Sequence, residues 1–282
     1  MTTDDIRRWR TELALLLGLA EAADAERAAA RLGLSAADLV PEPVEPSAVR
    51  ELLRYWRGEW FMLWMLERDD PELNAYVYAS ALATDTIRRD ILRGVPFGPG
   101  NPGPVPVHPS LAGTPEPRLR LADSPHGVIG ELRRARTMGH GRSAAALVSR
   151  EHWDAIAAAD RAEPLPGYAR WNLCVRIDCP PSLRAQFGSH PKFTRRLLRA
   201  GVIDGPREYV SRLRPARKVL TDLDTGRAAF PHRLEEARET LAPLVREHLG
   251  PRPEAWAVCA QLLPTFAGTV PELIGTAGAI AG

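Results

Sequence analysis

Residues 168–201 read YARWNLCVRIDCPPSLRAQFGSHPKFTRRLLRAG and residues 205–218 read GPREYVSRLRPARK. Breaks at Cys179-Pro180-Pro181, at Gly188 to Pro191 and at Gly201 to Pro206 cut this stretch into short helices, because proline suits a helix opening and is costly in a helix interior. Between Arg184 and Lys218 ten basic residues face two acids, Asp204 and Glu208. Short, proline-punctuated helices with a basic side set two expectations: an all-α fold and an acidic partner.

The rest of the chain agrees with the first. Ala, Leu, Arg and Glu dominate the 282 residues while Ile, Val, Thr and Tyr are sparse, which favours helix over sheet. An apolar fraction of 45% and a charged fraction of 26% are those of a globular protein with a real core. The net charge of +2 hides an asymmetry. Residues 1–50 hold nine acids against six arginines, whereas 184–218 are strongly basic. Lys192 and Lys218 are the only lysines among 37 basic residues, so recognition here rests on planar guanidinium forks rather than point charges. Three cysteines, Cys174, Cys179 and Cys259, and a polar N-terminus point to a reducing, cytoplasmic setting. The stretch from Ala255 to Gly282 carries one charge, Glu272, but its prolines and glycines suit a packed terminal helix pair better than a membrane span.

The pattern along the chain predicts a first helical module over residues 1–93. Asp4 or Thr3 caps its first helix, Ser35 to Asp38 forms a capping box, and Pro41 to Pro46 is an extended connector. A helix from Ser47 to about Arg68 carries Trp56, Trp60 and Trp64 at helical spacing, a core seam rather than the floor of a ligand pocket. Asp70-Pro71-Glu72 restarts a helix read as continuous to Arg93. Residues 94–125, dense in proline and glycine, form a linker or an ordered surface loop. The second module, 126–282, has a Gly-His-Gly turn at 139–141, a helix from Ser143 to Ala162 with a break near Ser149 as the alternative, the basic segment, a long helix from Arg233 to Leu249, and two terminal helices entered at Glu254 and at Thr269-Val-Pro271-Glu272.

The stretch RIDCPPSLRAQF resembles one unit of the leucine-rich-variant or HEAT-like helical-repeat class, with Pro181 and Leu183 at the helix opening; Pro271 and Leu273 echo it once. That resemblance implies a short helical stack in the C-terminal half. No constant period accompanies it, which leaves an irregular helical bundle as the leading expectation.

Three sites draw attention. The basic segment offers Arg184, Lys192, Arg195, Arg196, Arg199, Arg214, Arg217 and Lys218 for an acidic partner or an anion; Arg195 and Arg199 are four apart and share a helix face. A short helix, a Gly-Ser turn and a basic second helix are also the loose outline of a helix-turn-helix, so nucleic acid is the runner-up partner. Gly139, Gly141, Arg142 and Ser143 form a weaker anion-site candidate, set against an ordinary glycine turn capped by Ser143. No zinc-ligand spacing, P-loop, serine-hydrolase elbow or cofactor fingerprint is legible. The sequence therefore reads as a non-enzymatic interaction or adaptor protein that docks an acidic protein through arginines. A regulatory nucleic-acid binder and an enzyme with an inter-module site are the alternatives.

Overall fold

A computed structural model of the chain describes residues 10–40, 49, 59–98, 103–188 and 191–282. Every regular element among them is helical. In chain order these are α1 Arg10–Leu17, α2 Ala22–Leu32, α3 Ala36–Leu39, α4 Glu59–Leu66, α5 Pro71–Ala79 and α6 Asp85–Leu92. Then come α7 Gly127–Arg133, α8 Met138–Ala145, α9 Trp153–Ala162, α10 Gly167–Cys174, α11 Pro181–Phe187 and α12 Pro191–Arg199. The last five are α13 Pro206–Arg212, α14 Ala216–Ala229, α15 Pro231–His248, α16 Pro253–Leu262 and α17 Val270–Ala281. Helices from four to eighteen residues long give the all-α, irregular architecture, with no fixed repeat among the described residues.

Contacts group the chain into two compact units, Met1–Leu52 with Ile203–Gly282, and Leu53–Val202. The grouping cuts differently from modules 1–93 and 126–282: α1 to α3 pack with the C-terminal helices, through α1 on α14 and α2 on α16. Long-range pairing of this kind leaves no local mark, since apolar spacing says which face is buried but not against what.

In the first unit, α16 and α17 form the packed terminal pair, with Trp256, Cys259, Leu273 and Ile274 fully buried. The Trp256 indole N–H donates to the Gly250 carbonyl at 3.1 Å. No helix among the described residues is long and apolar enough to cross a membrane. The capping box at Thr269 and Glu272 starts α17, and the one at Ser35 and Asp38 starts α3.

A buried polar cluster lies between α13 and α14. The Tyr209 hydroxyl donates to Asp222 Oδ2 at 2.6 Å, and Lys218 Nζ is 3.7 Å from Asp222 Oδ1. Burial raises the Asp222 carboxyl to about 7, against the pull of Tyr209 and Lys218. A carboxyl raised on folding binds its proton more tightly in the folded state. Its contribution to stability is complete below the unfolded value near 4 and is lost as pH climbs through about 7. We therefore expect wild type to lose stability relative to Asp222→Asn between pH 5 and pH 8. The slope should approach about 1.4 kcal/mol per pH unit at its steepest. Denaturant melts of both proteins across that range check this; parallel pH profiles would remove the role assigned to Asp222.

The second unit holds α4 to α12. Phe61 and Trp64 of α4 are buried with rings edge-to-face, centroids 5.2 Å apart, so the described part of the tryptophan helix is a core seam. Trp56, the helix start at Ser47, the Pro41–Pro46 connector and the cap at Asp4 or Thr3 lie outside the described residues. Asp70 caps α5, as its sequence signature indicates, through bonds from Glu72 N and Leu73 N. The single helix expected from there to Arg93 is two. Ser80 Oγ accepts from Leu82 N at 3.2 Å and Thr84 Oγ1 from Ile87 N at 3.3 Å; these hydroxyls stop one helix and cap the next.

The described parts of 94–125 pack onto this unit as an ordered loop. Val105 N donates to the Gly94 carbonyl at 2.8 Å, Phe97 N to Asp69 Oδ1 at 2.7 Å, and Arg93 grips Glu116 with both Nε and Nη2. Gly94 sits at φ +63°, and a Cβ there would lie 2.3 Å from the Val105 carbonyl oxygen, so the tie requires glycine.

Candidate functional site

The arginines of the basic segment separate into two classes. Arg184 is 5% exposed; its Nε donates to the Cys174 carbonyl at 2.9 Å and its Nη2 to the Arg176 carbonyl at 2.8 Å. Cys174 ends α10 and Arg176 lies just past it, where the helix no longer supplies donors, so Arg184 caps a neighbouring helix. Its place among the surface arginines is corrected accordingly. Arg214 pairs with Glu272 at 2.9 Å, Arg217 approaches Glu12 at 3.6 Å, and Lys218 belongs to the Asp222 cluster; all three lie in the first unit.

Arg195, Arg196 and Arg199 of α12 are different. All three are exposed and have no intramolecular partner among the described residues. The other side of this helix is anchored: Phe193 and Leu197 pack on the second unit's core, and the Phe193 ring meets Trp171 edge-to-face at 5.6 Å. An amphipathic helix held by its apolar side presents its cations outward. The side chain of Lys192 and the turn at 189–190 lie outside the described residues.

The glycine segment is helix, not turn. Thr137 caps α8 by accepting from His140 N at 3.2 Å, which places Gly139, Gly141, Arg142 and Ser143 inside the helix and leaves Ser143 with no capping role. Thr137 was the missed signal, a capping hydroxyl ahead of residues that look like breakers. Gly141 is there for packing: a Cβ would lie 2.7 Å from the Tyr168 carbonyl oxygen and 2.8 Å from Asn172 Nδ2, where α8 crosses α10.

Arg142 and Ser143 do meet a cavity. They line a cleft of about 580 Å³ in the second unit, bounded by the start of α6, the end of α8 and the chain leaving α10. Its floor is apolar, with Met62, Ile87 and Ala145 buried and Leu82, Val175 and Ile177 partly so. The sequence reading passed over Arg118 and Arg120, which join Arg142 in lining it. Arg176 also lines the cleft but is committed: it clasps Asp178 with Nε at 2.8 Å and Nη2 at 2.5 Å, sends Nη1 to the Ala145 carbonyl, and stacks 5.2 Å over the Trp153 ring.

The remaining polar clusters are structural in geometry. Ser149 Oγ lies 2.6 Å from His152 Nδ1, but that nitrogen also accepts from Ser149 N, the arrangement of a cap. Ser124 Oγ donates to Glu131 Oε1 at 2.5 Å while Glu131 Oε2 meets His140 Nε2 at 2.6 Å. The serine thus faces the carboxylate and not the imidazole, the reverse of a nucleophile–base pair. Both bonds hold the Glu131 carboxyl below its usual range. The three cysteines are buried and free; burial pushes the thiols of Cys179 and Cys259 up to about 12 and that of Cys174 higher, which makes them unreactive. No group of three or more metal-ligating side chains occurs among the described residues.

Comparison with known protein families, curated proteins and solved structures finds no match for this chain.

Proposed function

We propose that this protein is a non-enzymatic interaction protein that docks an acidic protein partner on the arginine face of α12. The observation that carries this reading is that Arg195, Arg196 and Arg199 are exposed and without an intramolecular partner among the described residues, while Arg184, Arg214, Arg217 and Lys218 are engaged within the chain. The chain spends acids and carbonyls on Arg184, Arg212, Arg214, Arg217 and Lys218, and leaves these three guanidinium groups, clustered on one helix, for something outside; Arg207 is exposed as well but stands apart from them on α13. Arg195 and Arg199 lie one turn apart and offer adjacent forks to carboxylates on a helix or loop of the partner. Electrostatic steering brings the acidic surface in, and the forks set its orientation.

Extent of charge favours protein over nucleic acid. A duplex binder of ordinary affinity neutralises about six to ten phosphates, and α12 offers three described arginines on a helix of nine residues.

Fluorescence anisotropy of a labelled oligo-glutamate peptide, titrated across a salt series, tests the proposal. Wild type should bind with an affinity that falls as salt rises. Arg195→Ala/Arg196→Ala/Arg199→Ala should bind at least tenfold more weakly with unchanged circular dichroism. Equal binding by the variant would refute the assignment, and much tighter binding of a DNA duplex than of the peptide would replace the protein partner with nucleic acid.

A further inference from the structure

The cleft of the second unit holds a small organic phosphate with an apolar body; the structure assigns this site independently of the surface of α12. Charge supplies the first half. Four arginines and two aspartates line the cleft: Arg118, Arg120, Arg142 and Arg176 with Asp85 and Asp178. Asp178 is taken by the two-pronged grip of Arg176, and Asp85 lies 3.6 Å from Arg88. Arg118, Arg120 and Arg142 are left exposed and with no partner among the described residues. Several other arginines of this unit are engaged within the chain. Arg93, Arg133 and Arg170 each hold a carboxylate within 3 Å, and Arg88, Arg150 and Arg184 each hold a backbone carbonyl. Uncompensated guanidinium groups gathered at one opening repel one another, so their convergence favours an anion between them.

Shape supplies the second half. A volume of about 580 Å³ falls in the range of small-molecule sites, and the cleft floor of Met62, Leu82, Ile87, Val175 and Ile177 has no charge to offer a polar body. An inorganic anion would leave that floor wet, and a neutral apolar molecule would leave the arginines unused. A ligand with an apolar body and one anionic head uses both. Three forks at the rim match the oxygens and double charge of a phosphate monoester better than the single charge of a carboxylate. Two of the three arginines come from the loop 103–125 and one from α8, so the site depends on the ties that fasten the loop at Gly94 and Arg93.

Isothermal titration with 1-naphthyl phosphate tests this, run beside 1-naphthoate, 1-naphthol and inorganic phosphate. The expected order is naphthyl phosphate tightest, naphthoate roughly tenfold weaker, and the other two weaker still. Arg118→Gln/Arg120→Gln/Arg142→Gln replaces exposed side chains, should keep the wild-type melting temperature, and should weaken naphthyl phosphate roughly a hundredfold. Arg195→Ala/Arg196→Ala/Arg199→Ala should leave this binding unchanged, which separates the cleft from the α12 surface. Absence of saturable naphthyl phosphate binding would overturn the inference, as would equal binding by the glutamine variant or inorganic phosphate binding as tightly as the ester.

Discussion

Arg184→Ala is expected to destabilise the second unit by about 3 kcal/mol or more, the largest effect of any arginine in the 184–218 segment. The side chain is buried and closes the end of α10 by donating to the carbonyls of Cys174 and Arg176. Truncation removes two bonds from a charged donor, leaves the Cys174 carbonyl to find a new partner and the Arg176 carbonyl with the Cys179 N–H at 3.3 Å, and opens a cavity beside the core. Arg184→Lys should rescue little, because one ammonium on a flexible stem cannot place two donors in the geometry of the fork. Arg195→Ala, eleven positions on, should change stability by less than about 0.5 kcal/mol, as an exposed residue with no described partner. Amide exchange in α10 and α11, measured for the three variants, reads the effect where it originates and does not require two-state unfolding of the chain. Comparable losses from Arg184→Ala and Arg195→Ala would contradict the division between structural and available arginines.

Two glycines of α8 should respond in opposite directions to the same change. Gly141→Ala drives a methyl group onto the Tyr168 carbonyl and the Asn172 amide across a helix crossing, where rigid backbone must shift, and should cost about 1–3 kcal/mol or more. Gly139→Ala meets nothing within 4 Å and replaces a flexible helical residue by the best helix former, so it should gain about 0.5–1 kcal/mol. Chemical denaturation of both variants, monitored by circular dichroism, tests the pair. A gain from Gly141→Ala would mean that α8 and α10 do not approach as closely as described.

That pair also shows where sequence reading stops. The all-α class was legible from composition and from caps that announce themselves locally: Ser35 with Asp38, Asp70 before Pro71, Thr269 with Glu272. A capping signal can still lose to a stronger-looking breaker. Two glycines at 139 and 141 outweighed Thr137 in the reading, and the helix contains both because its crossing with α10 demands a small residue. Ser80 and Thr84 were passed over for the opposite reason, since each is unremarkable alone and only together do they end one helix and begin another. The pairing of α1 and α2 with the C-terminal helices joins residues some 200 apart along the chain and left no trace in any window of the sequence.

Sites were less legible still, for a reason particular to arginine. The same side chain caps helices, closes ion pairs and meets ligands, and only burial and partners distinguish these uses. Density of charge therefore pointed to 184–218 as a whole. In three dimensions Arg184 belongs to the core and Arg214, Arg217 and Lys218 to acid pairs within the chain, while Arg118 and Arg120, inside a proline-rich loop read as a linker or surface loop, line a cleft whose arginines outnumber its acids.

The fold consumes some arginines and leaves others for a partner. The most direct test follows the side-chain Nε–Hε resonances of isotopically labelled protein as the oligo-glutamate peptide is added. Signals of Arg195, Arg196 and Arg199 should move together along one saturating curve while those of Arg184 and Arg176 stay fixed. Shifts concentrated at Arg214 and Arg217, or spread evenly over all arginines with no saturation, would contradict it.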